Sequence, residues 1–158
     1  MPPLLAILLA LQPAAGAGRA ADWWYVSASG DAGDYDAHYA DRASIRRDGD
    51  HVFIREAREG ERPGENGILG SRVQAEYDCR ARTGRFLTAT FLGPDGILLE
   101  DVDPGETLHP VEPRSVYGGL MRFACGEGEG LEQLGALGIR EHALLLFREM
   151  HARPATAN

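Results

Sequence analysis

The chain has 158 residues, 44% hydrophobic and 25% charged, enough for one domain of ordinary size and too few for two well-packed ones. Its 16 basic residues are all arginine, which excludes chemistry that needs a lysine amine: Schiff-base and pyridoxal enzymes, the P-loop lysine and Ser-x-x-Lys hydrolases. With 24 acidic residues and a formal charge of -8, the average surface repels phosphate backbones, so no nucleic-acid partner is expected.

The apolar run Leu4 to Leu11 is followed by Gln12-Pro13 and by small residues ending at Ala17 and at Ala20. This pattern predicts a secretory signal peptide over residues 1–20, although no basic residue precedes the run. The run is far shorter than the roughly 20 residues that span a membrane, so no membrane insertion is expected after cleavage. No cysteine stands near the cleavage region to take an acyl anchor. The expected location is therefore the periplasm or the medium, without a lipid anchor. In an oxidising compartment the pair Cys79 and Cys125 reads first as a disulfide, with two separate buried thiols as the alternative.

Along the mature chain, Trp23 to Ser29 is aromatic and β-branched in its first half and predicts a strand. Gly30 to Asp36 reads as a loop. Tyr39 to Arg47 runs through Asp48-Gly49 into His51 to Arg55, and predicts a hairpin with both turn residues at positive φ. Arg58 to Gly70 holds four glycines, one proline and several charges, and reads as a long exposed loop. From Ser71 to Cys79 the alternation puts Val73, Ala75, Tyr77 and Cys79 on one face, a half-buried strand. Thr83-Gly84 reads as the next turn, Arg85 to Leu92 as a strand, and Gly93-Pro94-Asp95-Gly96 as a turn into a sixth strand, Ile97 to Glu100. Ser115 is placed to cap a helix reaching Cys125, in which Val116, Leu120 and Phe123 share a face, and Gly118-Gly119 inside it suggests a helix lying close against a sheet. Residues 126–130 read as a Gly/Glu linker. Within 131–158, Ile139, Ala143, Leu146, Phe147 and Met150 recur at helical spacing, predicting a C-terminal helix that covers a sheet edge or pairs with a second subunit. The end from Arg153-Pro154 to Asn158 is expected to fray.

Six short strands at hairpin spacing argue for an antiparallel sheet and an α+β fold. The order of Trp23/Trp24, Tyr39-x-Asp41-x-x-Ser44-Ile45, Gly49 with Val52, Ser71, Tyr77-Asp78-Cys79, and Ser115 through Leu120 to Cys125 resembles the surface-adhesin protein E domain family of exported Gram-negative proteins. The resemblance covers about residues 23–125, within a domain expected over residues 21–125. It implies a six-stranded antiparallel sheet with a helix held on one face by a disulfide. It further implies an adhesin that binds matrix and plasma proteins, can bind hemin, and forms a homodimer. The chain departs from the pattern in having no acceptor for a lipid anchor and some 33 residues beyond the second cysteine. The expected function is an exported, non-catalytic binding module with a protein partner. The alternative is a periplasmic envelope or stress protein with no host ligand.

Candidate sites are few. Arg80, Arg82 and Arg85 flank one turn, and three guanidinium groups there suit carboxylates or hemin propionates, though a solvated hairpin tip balanced by Asp78 explains them as well. His38, His51, His109, His142 and His151 never recur at metal-ligand spacing and read as surface residues, so no metal or other cofactor is expected. Trp23, Trp24 and Tyr25 suit either a partner anchor or, by alternation, the core. No nucleophile elbow, His-Glu-x-x-His or dinucleotide glycine pattern occurs, and no enzyme is expected.

Overall fold

Alternating apolar residues along successive strands bury one side of each strand against a helix, and here both sides of the sheet are used. A computed structural model describes residues 20–153 apart from 97 and 103–104, with the backbone of 98–102. The expected leader, Ile97 at the head of the sixth strand, and the end from Pro154 to Asn158 lie outside the described residues. The strands are β1 (Trp23–Ser29), β2 (Asp36–Asp48), β3 (His51–Gly60), β4 (Gly70–Asp78), β5 (Thr83–Leu92), β6 (Leu98–Val102), β7 (His109–Pro110) and β8 (Glu132–Gln133). They form one antiparallel sheet in the order β6-β5-β4-β3-β2-β1-β8, with β7 also on β5. The α+β class and the six-strand meander are as expected. Two further strands, β7 and β8, have only two residues each and leave no alternation to read.

Helix α1 (Val116–Cys125) and helix α2 (Ile139–Ala152) cover opposite faces. Under α1 lie Val26, Ala40, Val52, Ile54, Ala75 and Tyr77, joined by Leu120, Met121 and Phe123 of the helix itself. Burying each of those three helix side chains contributes about 1.5–3 kcal/mol. Ser115 Oγ accepts from Gly118 N at 3.0 Å, Gly126 ends the helix at φ +77°, and Glu127 N donates back to Arg122 O at 2.8 Å. The Cys79–Cys125 disulfide ties the end of α1 to the turn after β4. Gly118 is tight for a reason other than the sheet: a Cβ there would lie 2.4 Å from Glu112 O, in the chain leading into the helix.

On the other face Ala37, Tyr39 and Ala57 meet Leu134, Ile139, Ala143 and Phe147. The chain reaches that face through residues 126–130, where a Cβ on Gly130 would lie 2.7 Å from the Trp24 ring. Strand β8 then pairs with β1 at Trp24 and Tyr25. So β8 covers the sheet edge and α2 covers a sheet face. His142, buried in α2, stands 3.0 Å from Tyr39 Oη and 3.4 Å from Glu132, which fixes the helix to both β2 and β8. Trp23 and Trp24 are half-buried on opposite faces, and Trp24 stacks obliquely on Phe123.

Several local expectations shift. The β2–β3 turn is Gly49-Asp50, and only Gly49 takes positive φ (+60°), because Asp48 pairs with His51 in the ladder. The expected loop from Arg58 shrinks to residues 61–69: Arg58, Glu59 and Gly60 continue β3, pairing with β2 on one side and, through Glu59, with Gly70 on the other. Their charges are met by Asp36, Arg72 and Arg140, so composition alone misled. The β4–β5 turn is Cys79–Arg82, with Thr83 and Gly84 already inside β5. His38 and His142 are buried, against the expectation of surface histidines, because each has a hydroxyl partner inside the fold: Ser29 Oγ at 3.1 Å and Tyr39 Oη.

Candidate binding groove

Helix α1 has ten residues, about 15 Å, while β2 beneath it has thirteen, about 40 Å. The helix therefore covers one end of its face, the end fixed by the disulfide, and leaves the other end open. Two bulges turn side chains into that opening. Between Tyr25 and Ser27 the register of β1 slips past Val26, so Ser27 and Ser29 point the way Trp24 did. In β5, Phe86 pairs with Ala75 and Thr88 with Gln74, leaving Leu87 unpaired, and beyond it Ala89 and Phe91 join Phe86 on the α1 face.

The result is a groove of about 740 Å³. His38, Glu56, Ser71 and Val73 contribute to its floor, Tyr117 and Leu120 of α1 form one wall, and Arg62 to Ile68 of the β3–β4 loop form the opposite rim. The pair Phe86 and Tyr117, edge to face with centroids 5.6 Å apart, separates it from a smaller apolar cavity of about 450 Å³. Tyr117 is 48% exposed and stands at the boundary of both.

Glu56 is the unusual member. It is 3% exposed, and Tyr77 Oη donates to its Oε1 at 2.6 Å. Burial pushes its carboxyl up to about 8, against a smaller opposing effect of the Tyr77 hydrogen bond, so at neutral pH the group is mostly protonated. Beside it, burial pulls His38 down to about 4, so the imidazole is neutral. At the rim the charges are matched: Arg58 meets Asp36 at 2.8 Å and Arg62 meets Asp34 at 3.3 Å. Sequence reasoning missed Glu56 because it ended the strand at Arg55. The signal was present, since Val52, Ile54 and Glu56 alternate onto one face and put an acid where the pattern calls for an apolar residue.

The three arginines singled out from sequence do not converge on this groove. The Arg80 side chain is 86% exposed with Asp50 3.9 Å from its guanidinium, and its backbone N–H donates to Asp78 Oδ1 at 3.0 Å. Arg82, at φ +59°, pairs with Glu127 at 2.5 Å. Arg85 lines the smaller cavity, but its guanidinium donates to Glu76 at 2.7 Å and to Glu106 O at 2.5 Å. Two of the three guanidinium groups are thus engaged within the fold. Among the described residues no three His, Cys, Asp or Glu side chains gather to hold a metal, and no helix is long and apolar enough to cross a membrane.

Compared with known proteins, the chain matches no curated protein and no solved structure. A family model, surface-adhesin protein E, matches residues 23–126, which run from the first strand to the cap of α1 and hold every lining residue of the groove. The match covers more than half of the chain and includes both cysteines. The chain belongs to the surface-adhesin protein E family.

Proposed function

We propose that the protein is an exported, non-catalytic binding module that receives its partner in the groove beside α1. Family membership supports an adhesin-like binding role and an exported protein. The observation that carries the site is a 740 Å³ opening with a buried, neutral carboxyl on its floor and an exposed tyrosine on its wall. A buried carboxyl left without a counter-charge on a sheet face is costly to the fold, which supports a binding role for the groove. The size falls in the usual range for ligand sites.

Matrix and plasma proteins and hemin, which the family resemblance implies, are the first probes. Immobilised matrix proteins and a hemin titration are compared between the full chain and Tyr117→Ala, which removes the groove wall at an exposed position. Binding that the variant weakens tenfold or more supports the groove; binding indifferent to Tyr117 removes it. Protease shaving of intact cells, with a periplasmic control, separates this reading from an envelope protein with no host ligand. Release of the chain by protease supports an adhesin, and protection supports the envelope role.

A further inference from the structure

Every charged group in the groove but one has its opposite. Asp36 is met by Arg58 and Asp34 by Arg62, whereas no cation among the described residues pairs with Glu56. Tyr77 from β4 donates to that carboxyl and Tyr117 from α1 feels its charge, while His38 and Asp36 from β2 and Arg58 from β3 line the same groove. Of these, Tyr77 donates a hydrogen bond, His38 is neutral, and Arg58 is engaged by Asp36. Over the floor stand the aromatic and aliphatic surfaces of Phe86, Phe91, Val116, Tyr117 and Leu120. An acid without a counter-charge at one end and apolar walls at the other describe a complement: a positive head on a carbon stem.

We propose that Glu56 is the counter-charge for an organic monocation, an ammonium or guanidinium whose apolar stem lies along Phe86, Tyr117 and Leu120. The proposal rests on the groove being the binding site and names what it takes. The chain's formal charge of -8 favours the approach of cations. Inside the groove the cation offsets the cost of charging a desolvated carboxylate, while the rings of Tyr117 and Phe86 receive the stem. A lysine or arginine side chain of a partner protein and a free alkylamine share this chemistry. At neutral pH the carboxyl begins as COOH and the ligand as its cation. On docking, the carboxyl proton passes to solvent and the carboxylate–cation pair stays behind, so binding releases a proton and no bond to carbon changes.

The test is calorimetry and amide chemical-shift mapping of the full chain with n-hexylammonium, with n-hexanol and hexanoate as neutral and anionic probes of the same stem. The expected result is saturable binding of hexylammonium that moves groove resonances and is at least tenfold tighter than hexanol. Titrations in buffers of different ionisation enthalpy are expected to show proton release. Affinity rises about tenfold per pH unit below the carboxyl's pKa, because only the ionised form accepts the cation. Glu56→Gln, which keeps the amide oxygen for Tyr77 and hence the fold, abolishes both the proton release and the preference for the cation. A capped tripeptide with a central lysine separates the sources: binding with the same proton release assigns the site to a protein side chain, and binding of the free amine alone assigns it to a small molecule. If hexanol moves the groove resonances as well as hexylammonium does, the cation assignment falls and the groove stands. If no probe moves them and matrix binding ignores Tyr117→Ala, both fall.

Discussion

Replacing Glu56 with glutamine changes one proton and almost no volume, so its effect on stability can be worked out from the two buried groups in the groove. In the folded chain the Glu56 carboxyl titrates at about 8, against an ordinary value of 4.5. From 4.5 up to 8 the folded state keeps a proton that the unfolded chain has lost, and stability falls as pH rises, by about 1.4 kcal/mol per unit. His38 works in the opposite sense: its folded value is about 4 and its ordinary value 6.5. From 6.5 down to 4 the unfolded chain takes a proton that the folded one refuses, and stability falls as pH drops. Between 4.5 and 6.5 the two slopes oppose each other and the curve is nearly flat. Above 6.5 only Glu56 remains, and about 2 kcal/mol is lost by pH 8. The tyrosines with raised values, Tyr25, Tyr39, Tyr77 and Tyr117, titrate above this window. Glu56→Gln removes the falling limb and leaves the rise due to His38, so the variant gains stability up to 6.5, stays level beyond, and at pH 8 exceeds the parent by on the order of 4 kcal/mol. Urea unfolding followed by the fluorescence of Trp23 and Trp24, at half-unit steps from pH 4 to 8.5, measures both curves. Parallel decline of parent and variant above 6.5 would refute the reasoning, since the loss would then come from another group.

The two helical glycines make opposite predictions although propensity treats them alike. Gly119→Ala has its nearest neighbour, Val26 Cγ1, at 3.7 Å and should stabilise by up to about 1 kcal/mol, whereas Gly118→Ala drives a Cβ to 2.4 Å from a backbone oxygen and should destabilise by about 1–3 kcal/mol; thermal melts of both variants decide. Replacing Cys79 and Cys125 together by alanine opens a sequence separation of 46 and should cost up to about 4 kcal/mol in denaturant unfolding, compared with the oxidised parent. Phe147→Ala removes a ring that is 3% exposed under α2 and should cost about 3–5 kcal/mol, with α2 amides exchanging sooner than those of α1.

The meander and the helix capped by Ser115 were legible because strand and helix periods declare themselves over five or more residues, and because a hydroxyl before an apolar run has one obvious use. The groove was not legible, for three local reasons. Val26 and Leu87 are bulge residues, and a bulge inverts which later residues share a face, so Ser29, Ala89 and Phe91 could not be placed by counting in twos. Arg58 and Glu59 looked like loop charges because their partners, Asp36, Arg72 and Arg140, are distant in sequence. The buried histidines were hidden in the same way, since Tyr39 stands 103 residues from His142. The arginine triplet stood out in the sequence through proximity along the chain, yet Arg82 and Arg85 turn toward different acids.

The groove follows from a mismatch between elements. A ten-residue helix laid on strands of up to thirteen residues cannot cover the face they present, and the disulfide at the C-terminal end of α1 fixes which end is covered. On the opposite face the fourteen residues of α2 sit over the part of the sheet that is apolar, around Ala37, Tyr39 and Ala57, while farther along that face the acids Asp41 and Glu76 are answered by Arg55 and Arg85. There each buried acid has a cation provided by the fold. On the α1 face the buried acid Glu56 has none among the described residues, although a fold able to pair Asp41, Glu59 and Glu76 with arginine has the residues to do the same for it. Keeping that one carboxyl unpaired at the bottom of an opening, at a cost of several kcal/mol above neutral pH, has a physical rationale if its counter-charge comes from outside the chain.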